Sequence, residues 1–287
     1  MAARRPSPSD RVRAIVAREA GPEVAARLPR GYHRMGRVLL LRLPPGLEAH
    51  DATIGSAWQR SLGVATVLAQ VGPIDGEARR PRLRRLAGTE TTTEVIEHGI
   101  RYRFDAAETM FATGNRTERQ RIATLVRPGE TVADLFAGIG YFAVPIAARA
   151  RPARLVAVEK NPAAHRYLVQ NLAPYAARVP VEAVLGDNRT VDLPRAAFDR
   201  LLLGYLPRSD PWIPRALALA RPEGAWLHVH RVADARAPLA VSAAMVAREI
   251  EEAGAAVVGA GTAREVKPYG PGRRHVVVDV YARPGRS

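Results

Sequence analysis

The chain contains no cysteine among its 287 residues. Disulfides, thiolate metal sites and cysteine nucleophiles are therefore excluded, and a reducing compartment is expected. No apolar run approaches the roughly eighteen residues that a membrane span requires. The start, MAARRPSPSDRVRAIVAREA, is basic but lacks the apolar stretch of a signal peptide. We therefore expect a cytoplasmic protein with no membrane association.

Lysine is also nearly absent, since Lys160 and Lys267 are the only two, yet the formal net charge is +15. A coding bias towards arginine exchanges lysine for arginine, but it does not create an excess of basic over acidic residues. The excess predicts a polyanionic partner and favours nucleic acid. One polar stretch concentrates five arginines, and either phosphate contacts or a solvated face explains it: Arg79, Arg80, Arg82, Arg84 and Arg85.

The stretch TVADLFAGIGYF at residues 131–142 has the order of a buried strand, a glycine turn and the start of a helix. The glycines let the backbone turn sharply and approach a ligand closely. This order is typical of a nucleotide site, although an ordinary strand-to-helix turn has the same pattern. Its candidate ligand contacts are the strand carboxylate and the turn residues: Asp134, Phe136, Ala137, Gly138 and Gly140.

Polar residues recur where the next three predicted strands end. LVAVE ends in Glu159, about twenty residues after the turn, where a carboxylate can accept both ribose hydroxyls. VEAVLGDN ends in Asp187 and Asn188, an acceptor and an amide that can read an adenine edge, and FDRLLLGYLP ends in Tyr205 and Pro207. Ligands of open α/β sheets bind at the carboxyl ends of the strands, so these positions predict one site.

The hydrophobic periodicity divides the chain into three segments. Residues 1–27 form a basic N-terminal segment, and residues 28–99 alternate short strands with one helix. Residues 100–287 alternate strands and helices in five βα steps and end in a strand pair. The pattern predicts a doubly wound α/β domain preceded by a small α+β domain that contacts RNA.

Two local features of the N-terminal part are specific enough to predict. Asp10 is expected to cap a helix over residues 11–20. A hairpin is expected to turn at His98 and Gly99, between two strand-like runs.

The glycine turn also limits the choice of cofactor. DLFAGIG lacks the third glycine of a dinucleotide fingerprint and has no phosphate-binding lysine, so NAD and ATP both fit poorly. S-adenosylmethionine has no phosphate and fits better. Its sulfonium requires no metal, because placing a nucleophile in line with a carbon on sulfur supplies most of the catalysis. We expect this cofactor and no metal.

Seven motifs resemble, in this order, those of the tRNA wybutosine-synthesis aminocarboxypropyltransferases: MFATGNRTER, DLFAGIGYF, VAVEKNP, GDN, LLLGYLP, LHVHRV, and VKPYGP followed by HVVVDV. That family is related to the archaeal and eukaryotic tRNA guanosine N1-methyltransferases, which act beside the anticodon. The resemblance runs from about Leu28 to Tyr281. It implies a Rossmann-like class I methyltransferase sheet, S-adenosylmethionine as cofactor, tRNA as partner and a monomer.

The resemblance also favours one branch of the group. The methyltransferases usually carry an arginine in the segment that matches residues 111–116 and an asparagine-proline motif after the fourth strand. This chain has TGN and GYLP at those places, which resembles the aminocarboxypropyl branch. The implied activity is transfer of the 3-amino-3-carboxypropyl group to a modified purine beside the anticodon.

The resemblance implies roles for individual residues. Glu159 holds the ribose, Asp187 and Asn188 meet the adenine, and Arg119 reaches the methionine end. Ala112 stands where the family commonly has a serine that touches the cofactor. We assign two further residues, Thr113 and Lys160, to the cofactor site. The candidate catalytic residues are three: Arg119, Tyr205 and Pro207.

His228 and His230 follow an apolar strand at a spacing that points both side chains to one face. No third metal ligand is close in sequence, so substrate contact or plain packing is favoured over a metal site. Three alternatives to aminocarboxypropyl transfer stay open: methyl transfer to a guanosine, transfer to a small molecule, and RNA binding without catalysis.

Overall fold

The structure, a computed structural model, describes residues 6–72, 82–111 and 113–285. Its internal contacts divide the chain into two units, Met1–Phe111 and Ala112–Ser287. The sequence analysis placed this boundary at Gly99, whereas the contacts keep both strands of the hairpin around Gly99 in the first unit.

The described part of the first unit contains helices and short strands in the following order: α1 (Pro8–Ala20), α2 (Pro22–Arg27), β1 (His33–Met35), β2 (Val38–Leu41), α3 (Asp51–Leu62), β3 (Thr66–Gln70), β4 (Leu83–Ala87), β5 (Thr92–Glu97) and β6 (Ile100–Asp105). Strands β1 to β4 form a sheet in chain order, in which only β2 and β3 run parallel. The apolar faces of α1 and α3 pack on this sheet around the buried Val16, Trp58 and Leu39.

Helix α1 begins earlier than expected, and the prediction that Asp10 caps it is wrong. Ser7 is the N-cap residue, and its hydroxyl oxygen accepts the amide of Asp10. The Asp10 carboxylate in turn accepts the amide of Ser7 at 3.1 Å. Asp10 is thus the third helical residue of a reciprocal capping box, a role that a carboxylate fills as readily as the cap itself.

The predicted hairpin is confirmed. Strands β5 and β6 pair antiparallel up to Glu97 and Ile100, and the two residues between them both have positive φ, 51° at His98 and 80° at Gly99. Two positive φ values in a two-residue loop match the right-handed twist of the paired strands.

The second unit alternates strands and helices: α4 (Arg116–Leu125), β7 (Thr131–Asp134), α5 (Ala143–Arg149), β8 (Arg154–Glu159), α6 (Pro162–Leu172), β9 (Val181–Leu185), β10 (Arg200–Leu203), α7 (Ile213–Leu219), β11 (Ala225–Asp234), α8 (Leu239–Glu252), β12 (Ala255–Val257), β13 (Thr262–Gly270) and β14 (Arg273–Pro284). The sheet order is β12-β14-β11-β10-β7-β8-β9, with β13 also paired to β14. The five strands from β9 to β11 are parallel.

This topology confirms the predicted doubly wound sheet. The chain moves outward from β7 to β8 and β9, then returns to the other side of β7 as β10. The order reverses between β7 and β10, and ligands of such sheets bind beyond the carboxyl ends of the strands at that point. The strand ends are rigid here because the sheet side chains around them, such as Leu201 and Val156, are fully buried. Within the described residues, every helix is too short or too polar to cross a lipid bilayer.

Candidate cofactor and substrate site

Asp134 ends β7 at the switch point and is fully buried. Its Oδ1 accepts the amide of Phe136 at 3.2 Å, while Oδ2 has no hydrogen-bond partner among the described residues. Burial, with a smaller contribution from the charge of Glu159, raises the pKa of Asp134 to about 7 against the opposing effect of the Phe136 amide. A carboxyl group near its midpoint at neutral pH can both donate and accept hydrogen bonds.

The glycine turn requires its glycines for two separate reasons. Gly138 and Gly140 have φ values of 58° and 100°, a region that side chains disfavour. A Cβ atom on Gly138 would lie 2.5 Å from the Tyr141 ring, and one on Gly140 would lie 2.4 Å from Val144. Ala137 is fully buried, and its amide donates to the Val158 carbonyl at 2.9 Å. The turn is therefore tied to the neighbouring strand β8.

Glu159 ends β8, and its carboxylate bridges the two loops beside it. Oε2 accepts the amide of Gly138 at 2.8 Å, and Oε1 accepts the amide of Asn161 at 2.7 Å. Burial raises the pKa of Glu159, and the two amides oppose this shift. Each carboxylate oxygen can accept a second bond, so this geometry leaves capacity for the two hydroxyls of a ribose.

Asp187 and Asn188 follow β9 but face different surroundings. The Asp187 carboxylate accepts Arg189 Nε at 2.9 Å and lies 3.5 Å from Lys160 Nζ. Its hydrogen bonds with Arg189 hold the pKa of Asp187 well below the usual range. Asn188 is buried, and its Nδ2 donates to the Leu135 carbonyl at 2.6 Å. The Asn188 amide nitrogen therefore anchors the loop after β7.

Carboxyl groups predominate where these three strands end. Asp134 and Glu159 end β7 and β8, and Asp187 follows β9 and is paired with Arg189 and Lys160. Carboxyl groups accept hydroxyl donors and repel phosphates, so these residues favour a ligand with hydroxyl groups and no phosphate. S-adenosylmethionine, with its sulfonium, ammonium and ribose groups, has the chemistry that these residues fit.

Three aromatic rings lie beyond the end of β10. The ring centroids of Phe136, Tyr205 and Trp212 are 5.1 to 5.4 Å apart. The three rings are each only partly buried and are inclined to one another by 30° to 86°. They form an aromatic cluster that offers partly exposed ring faces to a base. Pro207 follows, and its carbonyl accepts the amide of Val232 on β11 at 2.8 Å.

Arg119, on helix α4, approaches the glycine turn that follows β7. Its side chain is only 2% exposed, and its guanidinium lies 4.9 Å from the centroid of the Tyr141 ring. Thr113 begins a 3-10 turn, Thr113–Asn115, that leads into α4. Within that turn, Gly114 packs closely against the Lys267 side chain on β13. Ala112 lies outside the described residues.

A buried polar network, called here the α4 network, links α4 to the sheet. Only one of its members, His228, is a candidate in the sequence analysis, because the side chains that bond to one another lie on elements far apart in sequence. A charged residue inside the apolar run HVVVDV was the one signal that could have revealed Asp279. The members are six: Glu118, Arg121, Asp279, His228, Arg200 and Glu130.

His228 and His230 share a face, as predicted, but neither lies open to a substrate, since they are 0% and 1% exposed. His230 Nδ1 lies 2.8 Å from Nε2 of His275, and its ring lies 5.4 Å from that of Phe142. Burial lowers the pKa of all three histidines, and the neighbouring imidazole adds to the shift at His230 and His275. No cluster of metal-ligating side chains occurs within residues 6–72, 82–111 and 113–285.

Two protein families match successive parts of the chain. The family described as the TYW2 N-terminal domain matches residues 12–92, and the family described as the TRM5/TYW2 methyltransferase domain matches residues 93–258. The two matches meet between residues 92 and 93, inside the hairpin strand β5.

Individual relatives agree with these matches. A tRNA(Phe) (4-demethylwyosine(37)-C(7)) aminocarboxypropyltransferase of Pyrococcus horikoshii is 37% identical over 271 residues, covering 94% of this chain and 95% of that protein. The crystal structure of P. horikoshii TYW2 in complex with MeSAdo is similar with a TM-score of 0.79 and 34% identity, covering 96% of this chain and 98% of that one. The crystal structure of M. jannaschii TYW2 in complex with AdoMet is similar with a TM-score of 0.70 and 26% identity, covering 88% of this chain and 100% of that one.

Proposed function

The chain belongs to the TRM5/TYW2 methyltransferase family, and from this premise we propose that it transfers the 3-amino-3-carboxypropyl group of S-adenosylmethionine to a base of tRNA. The relatives that extend over nearly the whole chain are named for this transfer to C7 of 4-demethylwyosine at position 37. A modified guanosine beside the anticodon is the proposed acceptor. The observation that carries the proposal is the Glu159 carboxylate, which ends β8 and accepts the amide of Gly138 in the glycine turn at 2.8 Å.

The residues at the strand ends are proposed to bind different parts of the cofactor. Glu159 accepts the ribose hydroxyls, and Gly138 and Gly140 allow the backbone to approach the cofactor. Asp187 is proposed to receive the adenine amino group. Its contact with Arg189 is partly exposed to solvent, and exchanging an exposed partner costs little.

The other end of the cofactor is proposed to meet α4. Arg119 is proposed to pair with the methionine carboxylate, and a charge-assisted bond holds geometry better than a neutral one. Thr113 begins the turn before α4 and is proposed to lie near the same group. Tyr205 and Pro207 belong to the loop where the acceptor base enters, with the rings of Phe136 and Trp212 as a stacking surface.

When bound, S-adenosylmethionine supplies carbons made electrophilic by the sulfonium. In the proposed transfer the acceptor carbon forms a bond to the end of the aminocarboxypropyl group, and the carbon–sulfur bond breaks with its electron pair on sulfur. The acceptor carbon releases its proton, and methylthioadenosine leaves. The residues of this chain contribute position and exclusion of water, which account for much of the rate in such a displacement.

Methyl transfer to a guanosine is the second candidate, because the matched catalytic family includes both kinds of enzyme. The test is incubation with precursor and unmodified tRNA and cofactor labelled separately in the methyl and the carboxyl carbon. We expect carboxyl label in RNA and methylthioadenosine as by-product. Methyl label in RNA, with S-adenosylhomocysteine as by-product, would contradict the proposal in favour of the methyltransferase.

The arginine stretch of the first unit gives a prediction about RNA binding. Arg79 and Arg80 lie outside the described residues. Arg84 pairs with Asp51 at 2.6 Å, whereas Arg82 and Arg85 are exposed. Each phosphate contact contributes about 0.7 to 0.9 to the salt slope of log affinity. Replacing Arg82 and Arg85 with alanine is therefore expected to flatten the slope for tRNA by about one to two units.

Filter binding or fluorescence anisotropy at salt concentrations from about 50 to about 300 mM measures this slope. Arg236 and Arg248 are also exposed but lie in the second unit, and their double alanine variant is the matched control. Equal slopes for the Arg82/Arg85 variant and the wild type would leave this stretch as a solvated face.

A further inference from the structure

Helix α4 is held to the sheet at its middle and at its C-terminal end. Arg121 donates to Asp279 on β14 at 2.5 and 3.1 Å. Leu125, the last residue of α4, accepts a hydrogen bond from Arg200 on β10 at 2.9 Å. His228 on β11 joins the two contacts, since it lies 2.6 Å from Asp279 and 2.8 Å from Arg200. The α4 network thus runs through three adjacent strands of the sheet.

The direction of each bond in the network is determined. Arginine has only donors, so Arg200 Nη1 donates to His228 Nε2, and the imidazole proton is on Nδ1. Nδ1 in turn donates to Asp279 Oδ1. Burial alone would raise the pKa of Asp279, but the bonds from His228 and Arg121 hold it well below its usual value. Asp279 is therefore a carboxylate that accepts from both sides.

A network of this kind is not needed merely to attach a helix. Replacing buried ion pairs with well-packed apolar side chains is often neutral or stabilising. Directional hydrogen bonds, in contrast, fix both the rotation of the helix about its axis and its position along that axis. Arg119 stands two residues before Arg121 on α4 and lies over Tyr141, which follows Gly140 directly. The network therefore sets the distance between the Arg119 guanidinium and the glycine turn.

We propose that Asp279 and His228 are positioning residues that hold Arg119 at the methionine end of the cofactor and thereby decide which sulfonium carbon faces the acceptor. The inference rests on the proposed function. The methyl and aminocarboxypropyl carbons share one sulfur, so a small shift of the methionine end exchanges them. A misplacement of about 1 Å is enough to lower the rate of such a reaction about a hundredfold.

Binding without RNA gives the first test. S-adenosylmethionine and methylthioadenosine share the adenosine part and the S-methyl group, and they differ by the aminocarboxypropyl group and the positive charge on sulfur. The ratio of their dissociation constants therefore reports on the sulfonium and methionine end of the cofactor rather than on the adenosine part. Asp279→Asn keeps the size of the side chain but removes the charge that orients Arg121. We expect calorimetry to show S-adenosylmethionine bound at least about tenfold more weakly, a loss typical of one charge-assisted bond. Methylthioadenosine affinity is expected to change less than about threefold.

His228→Asn is the second variant, because its amide can still donate to Asp279 but offers Arg200 no ring nitrogen. With tRNA and doubly labelled cofactor, both variants are expected to raise the share of methyl label in RNA. Val246→Ala is the matched control: Val246 is fully buried on α8 in the apolar core, so the variant loses stability without touching the network. If Asp279→Asn cannot be purified, Arg121→Lys, which keeps the charge but not the forked geometry, replaces it.

The inference is overturned if these variants lose stability as Val246→Ala does while the ratio of dissociation constants and the label distribution stay those of the wild type. Failure of the proposed function looks different. In that case the wild type transfers no carboxyl label to tRNA, yet the ratio measured without RNA still tests whether the network positions Arg119.

Discussion

Replacing Glu159 with glutamine is expected to weaken S-adenosylmethionine binding by about ten- to a hundredfold, which corresponds to about 1.5 to 3 kcal/mol for a lost charged hydrogen bond. The carboxylate accepts Gly138 and Asn161 amides at 2.8 and 2.7 Å. Glutamine can satisfy one of these amides but turns its own NH₂ group towards the other. The ribose then loses an acceptor and the turn loses one of its two ties to β8.

Isothermal calorimetry at a temperature well below unfolding measures this loss. Glu182→Gln is the matched control, because Glu182 is on the neighbouring strand β9 but is exposed and paired with Arg154. An affinity for Glu159→Gln equal to that of the wild type, with the fold intact, would remove Glu159 from the ribose site. Its carboxylate would then serve only to hold the turn.

Acid is expected to destabilise the second unit because three histidines are buried in it. The pKa values of His228, His230 and His275 are all lowered below the ordinary value by burial. Below pH 6.5 or so, the unfolded chain therefore binds more protons at these histidines than the folded chain does. The free energy of unfolding therefore falls as the pH falls, by up to about 1.4 kcal/mol per pH unit for each histidine.

Two carboxyl groups act in the opposite direction. The pKa of Asp134 is raised to about 7 and that of Glu159 is also raised, in both cases by burial. Between about pH 4 and pH 6.5 Asp134 binds more protons in the folded chain than in the unfolded chain, and the raised pKa of Glu159 acts in the same direction, which stabilises the fold as the pH falls. Three histidines oppose two carboxyl groups, so we expect the unfolded state to bind more protons overall. The second unit is then expected to lose about 1.4 kcal/mol per pH unit below pH 6.5 or so for each proton of net difference.

Urea titrations between about pH 7 and pH 4.5, the window set by these pKa values, measure this slope. The three tryptophans are Trp58 in the first unit and Trp212 and Trp226 in the second, so a Trp58→Phe background makes fluorescence report on the second unit. His230→Phe with His275→Leu removes two of the three histidines and is expected to abolish or reverse the slope. The control is His98→Asn in the exposed hairpin turn, where asparagine tolerates the positive φ. A slope unchanged in the double variant would contradict the assignment.

The sequence alone determined the elements whose causes are local. The run of strand, glycine turn and helix at residues 131–142 needs only neighbouring residues to form, and the hairpin turn at His98 and Gly99 depends on two φ angles. The alternation of strands and helices was sufficient to predict the doubly wound sheet and to place Glu159 and Asp187 at strand ends. The order of the motifs led to the family, which the comparisons confirm.

Tertiary structure alone decided how the polar side chains are used. Asn188 is predicted to meet adenine, and only the structure shows that its amide nitrogen also donates to a carbonyl 53 residues away in sequence. Asp279 is bonded to Arg121 across 158 residues, and His230 to His275 across 45. A pattern in the sequence records which face of a strand a side chain occupies, but not which distant side chain meets it there. That partner is chosen by the packing of whole elements, so the α4 network could be found only once the strands were in their places.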